Sequence, residues 1–217
     1  MLTSLSVNDF LDEIASSSPA PGGGSVSALA AALGAALTSM VSRLTLGKKK
    51  YAGVQGEMEE VLQQSEELRA QFKAIINEDT AAYNKVMSAY GLPKDTEDQK
   101  SKRTAEIQEA MKTATLVPLK LMEHCEVAMK LVKIVAERGN QSAVSDAGVA
   151  ALMLKAGCDG AAMNVKINLA SLRDAHFAAL TKSQAEQLRI SLGAHTSDII
   201  ACVNKHLASS SEIHSSL

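Results

Sequence analysis

Apolar residues recur at intervals of three and four along most of the chain, the spacing that places them on one face of an α-helix. The longest such stripe lies in a helix predicted from about Val54 to Tyr90 and ended by Gly91-Leu92-Pro93. Its members are Met58, Val61, Leu62, Ser65, Leu68, Phe72, Ile75, Ile76, Asp79, Tyr83 and Val86. No segment alternates apolar and polar residues over a sustained length, so the pattern predicts an all-α, up-and-down helical bundle.

The N-terminal part contains two further helices separated by a breaker. Ser6 is suited to cap a short helix. Its apolar face is Val7, Phe10, Leu11 and Ile14. Prolines and glycines at positions 19–24 interrupt the helix pattern. From Val26 to Leu46 apolar and small residues surround the whole helix, as in a central helix covered on every side. Its most apolar stretch, from Val26 to Val41, is too short and too rich in Ala, Ser and Gly for a membrane span, so no membrane association is expected.

The C-terminal half predicts three more helical segments. One starts near Thr96, bends or breaks before Pro118 and stops at Gly139-Asn140. A fifth begins at Ser145-Asp146, and the last clear helix spans about Ser183 to Leu207. The apolar residues of the fifth are Val149, Leu152, Met153, Met163, Val165, Ile167 and Leu169.

Composition narrows the class of protein. The 217 residues are 46% hydrophobic, enough for a sizeable core, and we expect one domain over residues 1–208 with a polar tail at 209–217. A net charge of −2 gives no general reason to bind nucleic acid. The three cysteines are scattered, and no basic n-region precedes an apolar run at the start, so we expect no signal peptide and a cytoplasmic location.

Asp79 is the most informative single residue. Spacings of three and four place it on the same face as Ile75, Ile76 and Tyr83. A carboxylate is seldom buried unless it is paired or functional, and desolvation would raise its pKa toward neutrality. The alternative is a structural Asp that pairs with a cation or a peptide group on a neighbouring helix.

The glycine segment before the central helix is suited to binding an anion. Gly22, Gly23, Gly24 and Ser25 precede a helix, where free N–H groups and the helix dipole favour negative charge. No Gly-Lys-Ser/Thr sequence follows, so the segment is not a nucleotide P-loop. A flexible connection is the alternative.

A small cationic cluster follows the second predicted helix. It contains Arg43 and the run of Lys48, Lys49 and Lys50. Such a run is either a solvated helix end that complements the helix dipole or a site for a carboxylate tail.

Polar residues elsewhere leave alternatives open. Asn164 and Asn168, one helical turn apart among apolar residues, either bond backbone groups across a tight helix crossing or line a polar pocket. Asp146 follows Ser145 at a helix start, an ordinary place for both residue types. None of the five histidines has a zinc-ligand spacing, so we expect no metal.

Taken together, several long blocks resemble the cyclodeaminase domain of formiminotransferase-cyclodeaminase and the related stand-alone methenyltetrahydrofolate cyclohydrolases. The blocks occur in the family's order and cover the chain up to about residue 172. They are PAPGGGSVSALAAALGAALTSMVSRLTLGKKKY (19–51), DTAAY from Asp79, GLPKDTEDQKSKRTAEIQEA (91–110), GNQSAVSDAGVAA (139–151) and GAAMNVKINL (160–169). The 91–110 block looks closer to the bifunctional enzyme than to the cyclohydrolases.

The resemblance implies a dimeric helical bundle and a folate substrate. It implies conversion of 5-formiminotetrahydrofolate to 5,10-methenyltetrahydrofolate with loss of ammonia, and the family's proposed acid aligns with Asp79. No cofactor is expected beyond the tetrahydrofolate substrate itself, which can carry a polyglutamate tail. The formiminotransferase half is missing from these 217 residues, so a separate transferase would supply the substrate.

Other site residues follow from the matching blocks and from charge. The glycine segment, Asn164 and Asn168 are candidates to position the folate, and Arg43, Lys48 and Lys49 to bind its glutamate carboxylates. Tyr51, Asn140 and Asp146 complete the set of candidate substrate-binding residues.

Two alternatives remain. A methenyltetrahydrofolate cyclohydrolase would use the same pocket, with water attacking the methenyl carbon and a carboxylate acting as base. A non-catalytic helical interaction module is the other, although an inert scaffold would favour Leu or Ala at Asp79.

Overall fold

The computed structural model describes residues 1–214 and the side chains of residues 1–208. The described residues contain six α-helices and no strand. The helices are α1 (Val7–Ala15), α2 (Gly23–Thr45), α3 (Gln55–Tyr90), α4 (Glu97–Arg138), α5 (Val144–Leu169) and α6 (Ala175–His214). Consecutive helices from α2 to α6 alternate in direction, which confirms the predicted all-α, up-and-down bundle.

Two helices, α1 and α4, begin where the sequence predicts, and each has a capping residue at its start. Ser6 accepts a hydrogen bond from the backbone N–H of Asp9 and caps α1. Thr96 and Gln99 form a reciprocal capping box at the start of α4. α6 extends beyond its predicted limits at both ends and continues to His214, so six residues of the predicted polar tail are helical. The last three residues of that tail lie outside the described part.

Of the bend or break predicted before Pro118, the break is wrong, because α4 continues through this residue. A proline has no N–H, so the carbonyl of Ala114, four residues earlier, loses its usual helix donor. The side-chain amide of Asn168 on α5 donates to that carbonyl at 2.8 Å. A neighbouring helix therefore replaces the missing backbone hydrogen bond.

Small residues bring α2 and α5 together as antiparallel neighbours. A Cβ added to Gly34 would lie 2.9 Å from the carbonyl oxygen of Ala150, and one added to Gly157 would lie 2.7 Å from that of Ser27. α3 and α4 also pack against α2, and α4 and α6 pack against α5. The two small-sided helices thus form one layer, and α3, α4 and α6 cover one side of it.

The other side of this layer is apolar and uncovered within the described residues. Its residues are spaced by three, four, seven or eleven positions, so each set follows one side of its helix. We call this surface the α2–α5 face; it comprises Val26, Leu33 and Leu44 of α2 and Val149, Leu152, Met163 and Ile167 of α5. Leu33 is 49% exposed, so a single chain leaves one side of this apolar helix without the cover that its sequence predicts it needs.

Exposure also corrects the apolar face that the sequence predicts for α1. Of the predicted apolar face of α1, Phe10 is buried, whereas Val7 and Leu11 are exposed.

α2 is the one helix among the described residues that is long and apolar enough to cross a membrane, and 61% of its most apolar stretch is buried inside the bundle. That burial is typical of the core helix of a helical bundle.

The end of the α3–α4 hairpin has a small core of its own. Val86, Ala89, Ile107 and Met111 form a cluster separate from the main core, which α2 to α6 build together. Because α3 runs antiparallel to α2, residues of α3 after Asp79 extend past the start of α2. The start of α2 therefore lies at the base of this projection.

Candidate functional site

Asp79 lies in the middle of α3 and faces the first turn of α2. The residue that caps α2, Gly22, has no side chain to bond the free N–H groups of that turn. The carboxylate of Asp79 takes this place, since it accepts hydrogen bonds from the backbone N–H and from the hydroxyl of Ser25. Asp79 is therefore half-buried and faces inward, as its stripe predicts. Its bond to the Ser25 peptide group is the contact that the structural alternative specified.

The buried Ser25 hydroxyl connects Asp79 to the backbone of α3. Its oxygen lies 2.9 Å from Oδ2 of Asp79, 3.0 Å from the carbonyl oxygen of Ile76 and 3.4 Å from the Thr80 hydroxyl. The single hydroxyl proton serves the carboxylate when Asp79 is ionised. When Asp79 is protonated, it can donate to Ser25 while Ser25 donates to Ile76. Both protonation states of Asp79 are thus hydrogen-bonded.

The surroundings raise the pKa of Asp79. Burial is the largest influence and disfavours the charged form, while the hydrogen bonds from the side chain and backbone of Ser25 partly oppose it by stabilising the carboxylate. A carboxyl group with a raised pKa that remains partly accessible can accept and return a proton. This is the chemistry expected of a general acid or base.

Gly24 is required by the position of Asp79. A Cβ built on Gly24 would lie 2.7 Å from Oδ2 of the carboxylate and closer still to Oδ1. The prolines and glycines at positions 19–24 predict a break that includes Gly23 and Gly24, and this prediction is wrong, because both belong to the first turn of α2. Glycine at these positions allows the carboxylate to approach the helix backbone directly.

The two asparagines of α5 have different surroundings. The side-chain amide of Asn164 donates to the carbonyl of Gly160 one turn earlier and lies 3.8 Å from the Cβ position of Gly23. Asn164 therefore borders the Asp79 site. Asn168 bonds the carbonyl of Ala114, which is the tight-crossing alternative considered from the sequence.

The remaining candidates lie at the opposite end of α2. Arg43 forms an ion pair with Glu66 at 3.1 Å, while Lys48 and Lys49 are exposed and have no ion-pair partner among the described residues. Tyr51 accepts a hydrogen bond from the N–H of Gln141 at 3.0 Å. These residues surround the turn that joins α2 to α3.

Asn140 holds this end of the bundle together. Its side-chain amide donates to the carbonyl of Leu44, its side-chain oxygen accepts from the N–H of Ser142, and its own N–H donates to Thr45. Asp146 lies in the first turn of α5 at the same end. At a rise of 1.5 Å per residue, the 21 steps from Gly24 to Thr45 span about 30 Å. One chain therefore does not bring the predicted site residues together in a single cluster.

Some neighbours of Asp79 were missed by the sequence analysis. Thr80 approaches Ser25, and Ser27, whose hydroxyl donates to the carbonyl of Gly23 at 2.7 Å, packs against Gly160. The Gly157-x-x-Gly160 spacing is a sequence signal for such a close helix approach. In the part of the chain that the structure describes, no three His, Cys, Asp or Glu residues are grouped so that they could hold a metal ion.

A second groove lies beside the α2–α5 face and shares Met163 with it. It has a volume of about 830 Å³ and separates the second half of α5 from the first half of α6. Apolar residues such as Met163 and Leu169 line it together with Lys166, Lys182 and Arg189. Neither Asp79 nor Asn164 contributes to this groove, so it is distinct from the site at the start of α2.

The fold and the site define a helical-bundle protein with a half-buried carboxyl group of raised pKa at a helix N-terminus. The profile described as formiminotransferase-cyclodeaminase matches residues 6–187. The chain belongs to this family, and it is an enzyme of the folate cyclodeaminase and cyclohydrolase class.

Individual relatives divide between two activities. A protein of Methylorubrum extorquens named methenyltetrahydrofolate cyclohydrolase is 48% identical over 87% of this chain and 90% of its own length. The rat formimidoyltransferase-cyclodeaminase is 36% identical over 86% of this chain, which spans 35% of that protein. The crystal structure of formiminotetrahydrofolate cyclodeaminase from Thermotoga maritima superimposes with a TM-score of 0.86 at 29% identity, covering 95% of this chain and all of that one.

Proposed function

We propose that the protein is a methenyltetrahydrofolate cyclohydrolase, which hydrolyses 5,10-methenyltetrahydrofolate to 10-formyltetrahydrofolate. The structural observation that carries the proposal is the Asp79 carboxyl group, partly buried against the start of α2 with a raised pKa. The Methylorubrum relative, which this chain matches over nearly its whole length, favours hydrolysis over deamination. The preference for cyclodeaminase drawn from the 91–110 block is accordingly replaced.

In this reaction Asp79 transfers protons at two points. The ionised carboxylate accepts a proton from water as the water oxygen bonds to the methenyl carbon, which gives a neutral carbinolamine. The bond from that carbon to N5 then breaks, N5 takes the proton from Asp79, and the hydroxyl loses its proton as the formyl group forms. One proton is released overall. Ser25 stabilises both states of Asp79, as its two hydrogen-bonding arrangements allow.

Formiminotetrahydrofolate cyclodeaminase is the second candidate. The Thermotoga structure, similar over almost the whole chain, favours it. Here N10 attacks the formimino carbon, and the leaving nitrogen needs a proton before it departs as ammonia. Protonated Asp79 would supply that proton. A separate formiminotransferase would then provide the substrate.

Purified enzyme should be tested on both folates, with methenyl absorbance and ammonia followed separately. We expect rapid loss of methenyl absorbance and little ammonia release. Asp79→Asn should lower hydrolysis by about 10²–10⁴-fold, the usual contribution of general acid–base catalysis. The variant should remain folded, because the amide fills the same space and a buried neutral group is less costly than a charge.

Asp159→Asn is the matched control. Asp159 is also half-buried, but it pairs with Lys155 away from the Asp79 site. Near-normal turnover in folded Asp79→Asn would exclude Asp79 as the proton-transfer group. Rapid ammonia release from formiminotetrahydrofolate without hydrolysis would establish the second candidate instead.

We also propose that the enzyme is a cytoplasmic homodimer formed through the α2–α5 face. Met163 and Ile167 are 71% and 69% exposed, and large contiguous apolar patches are rare on monomers. Light scattering at micromolar concentration should give twice the chain mass. Leu33→Glu should give the monomer mass, whereas the same change at exposed Ile190 on α6 should leave the dimer intact.

A further inference from the structure

The groove between the second half of α5 and the first half of α6 has no part in the chemistry proposed above. We call it the α5–α6 groove. Its volume of about 830 Å³ lies within the range of sites that bind small molecules. Val165 and Ala185, both almost fully buried, form its floor, and the exposed Met163 forms part of its rim. The groove is therefore apolar inside and large enough for a ligand.

Two lysines face each other across this groove. Cε of Lys155 on α5 lies 3.6 Å from the Cβ position of Gly193 on α6, and this contact sets the register of the two antiparallel helices. Eleven residues make about three complete helical turns, so eleven positions forward from Lys155 and eleven back from Gly193 are again opposite each other. These positions are occupied by Lys166 and Lys182, and both residues line the groove.

The positive charges of these two lysines are not neutralised by the chain itself. The acidic residues that line the groove, Asp159 and Glu186, each already form an ion pair within their own helix. Lys166 and Lys182 form no ion pair or hydrogen bond with any described residue. An anion between the two ammonium groups would remove their mutual repulsion and accept charge-assisted hydrogen bonds from both. The groove is thus suited to a ligand that is apolar along its length and negatively charged at one point.

The lining of the groove favours an aliphatic chain over a ring system. None of the described side chains that line it is aromatic, and the flexible Met163 can follow the shape of a chain. A heteroaromatic ring such as a pterin has polar edges that must find hydrogen-bonding partners when they are buried. The polar side chains described in the lining are all charged, and a folate would leave its ring edges unpaired against the apolar floor.

The position of the lysines limits the length of the chain. Along α5, Lys166 lies about 10 Å from Asp159, whose ion pair marks the charged end of the groove, and about 6 Å from Ala170 beside the turn into α6. The longer arm contains Met163 and Ala185 and accommodates an extended chain of medium length. A longer chain would meet the charged residues at the end of this arm.

We propose that the α5–α6 groove binds a medium-chain aliphatic carboxylate, with its carboxylate between Lys166 and Lys182 and its chain over Val165 and Ala185. Asp79 does not line the groove, so this ligand binds in addition to the folate and is neither substrate nor product of the proposed hydrolysis. The wall of the groove formed by α6 is not part of the α2–α5 face, so the site belongs to the single chain.

Isothermal titration calorimetry of the full chain with hexanoate, octanoate and decanoate tests the proposal and requires no turnover. We expect one molecule to bind per chain, with affinity rising about fourfold for each further buried methylene. Lys166→Gln/Lys182→Gln should weaken octanoate binding about tenfold, because two exposed ion pairs are lost. The same variant should bind octanol, which has the chain without the charge, as the wild type does.

Lys94→Gln/Lys102→Gln is the matched control. It removes the same charge from exposed positions at the end of the α3–α4 hairpin, so it should bind octanoate with wild-type affinity. This control separates loss of a specific anion site from a change in the net charge of the chain.

Four results would overturn the proposal. The first is no saturable binding of decanoate at millimolar concentration, and the second is wild-type affinity in Lys166→Gln/Lys182→Gln. The third is binding by the Leu33→Glu variant but not by the wild type, which would show that a second copy of the chain occupies the groove. The fourth is displacement of decanoate by a folate, which would make the groove a folate site. None of these results changes the test of Asp79, which is measured by hydrolysis.

Discussion

The hydrogen bond from Asn168 to Ala114 predicts an energetic coupling between Asn168 and Pro118. Asn168→Ala removes the donor and leaves a partly buried carbonyl that has no backbone donor of its own. A lost hydrogen bond with an unsatisfied buried partner costs about 1–3 kcal/mol. For a chain of this length, each kcal/mol lowers the melting temperature by about 2–4 °C.

Pro118→Ala changes what Asn168 contributes. With alanine at this position, a backbone N–H is available to the carbonyl of Ala114, so that carbonyl no longer depends on Asn168. The cost of Asn168→Ala should then fall by about 1 kcal/mol or more, within the range found for residues that share a partner. Urea unfolding of the four proteins, followed by circular dichroism, measures this coupling energy.

Asn164→Ala provides the control on the same helix. Its side chain bonds a carbonyl within α5 itself, so its cost should be equal with proline or alanine at position 118. If Asn168→Ala costs the same in both backgrounds, the explanation of how α4 accommodates Pro118 is wrong.

Three further predictions follow from the site and the ion pairs. Gly24→Ala should displace the Asp79 carboxylate and lower kcat on the order of 100-fold, which is the effect expected from a misplacement of about 1 Å. Gly56→Ala is the control and should leave kcat unchanged, because a Cβ added to Gly56 meets nothing within 4 Å. Ser25→Ala removes a hydrogen bond that lowers the pKa of Asp79, so this pKa should rise and the acidic limb of the hydrolysis pH–rate profile should move to higher pH; an unmoved limb would contradict the role of Ser25. Hydrogen bonding to arginine lowers the pKa of Glu66 from 4.5 to about 2, so its stabilisation is present above pH 4.5 and is lost as the pH falls toward 2. Glu66→Gln should lower the free energy of unfolding by about 1 kcal/mol at pH 7, allowing for the partly exposed arginines, and by less in acid; an equal loss at both pH values would argue against the ion pair.

The sequence predicted the features that depend on local signals. The capping residues at Ser6 and Thr96 and the stripe containing Asp79 are readable because capping and helical periodicity act over a few residues. The inward position of Asp79 followed from its neighbours at three and four positions. Its partner, Ser25, lies 54 positions away, and no local pattern specifies that contact.

The wrong predictions share a physical cause, which is an interaction with a distant part of the chain. Pro118 lies within a helix in which Asn168 replaces its missing donor, and Gly24 lies in a first helical turn that Asp79 of α3 caps through Ser25. Periodicity also cannot decide whether an apolar side is covered by the same chain. Met163, Val165 and Ile167 belong to the same set of apolar residues in the sequence, yet only Val165 is buried in the single chain.

The separate small core at the end of the α3–α4 hairpin has a consequence for how the molecule opens. A segment held by few buried apolar contacts exchanges its amide hydrogens through local openings that cost less free energy than global unfolding. The hairpin end, with Val86 and Ile107 in its cluster, can open in this way while α2 and α5 stay closed around the main core. Asp79 lies where these two regions meet, so we expect amide exchange to become faster along α3 beyond Asp79 while the helix that orients its carboxylate stays protected.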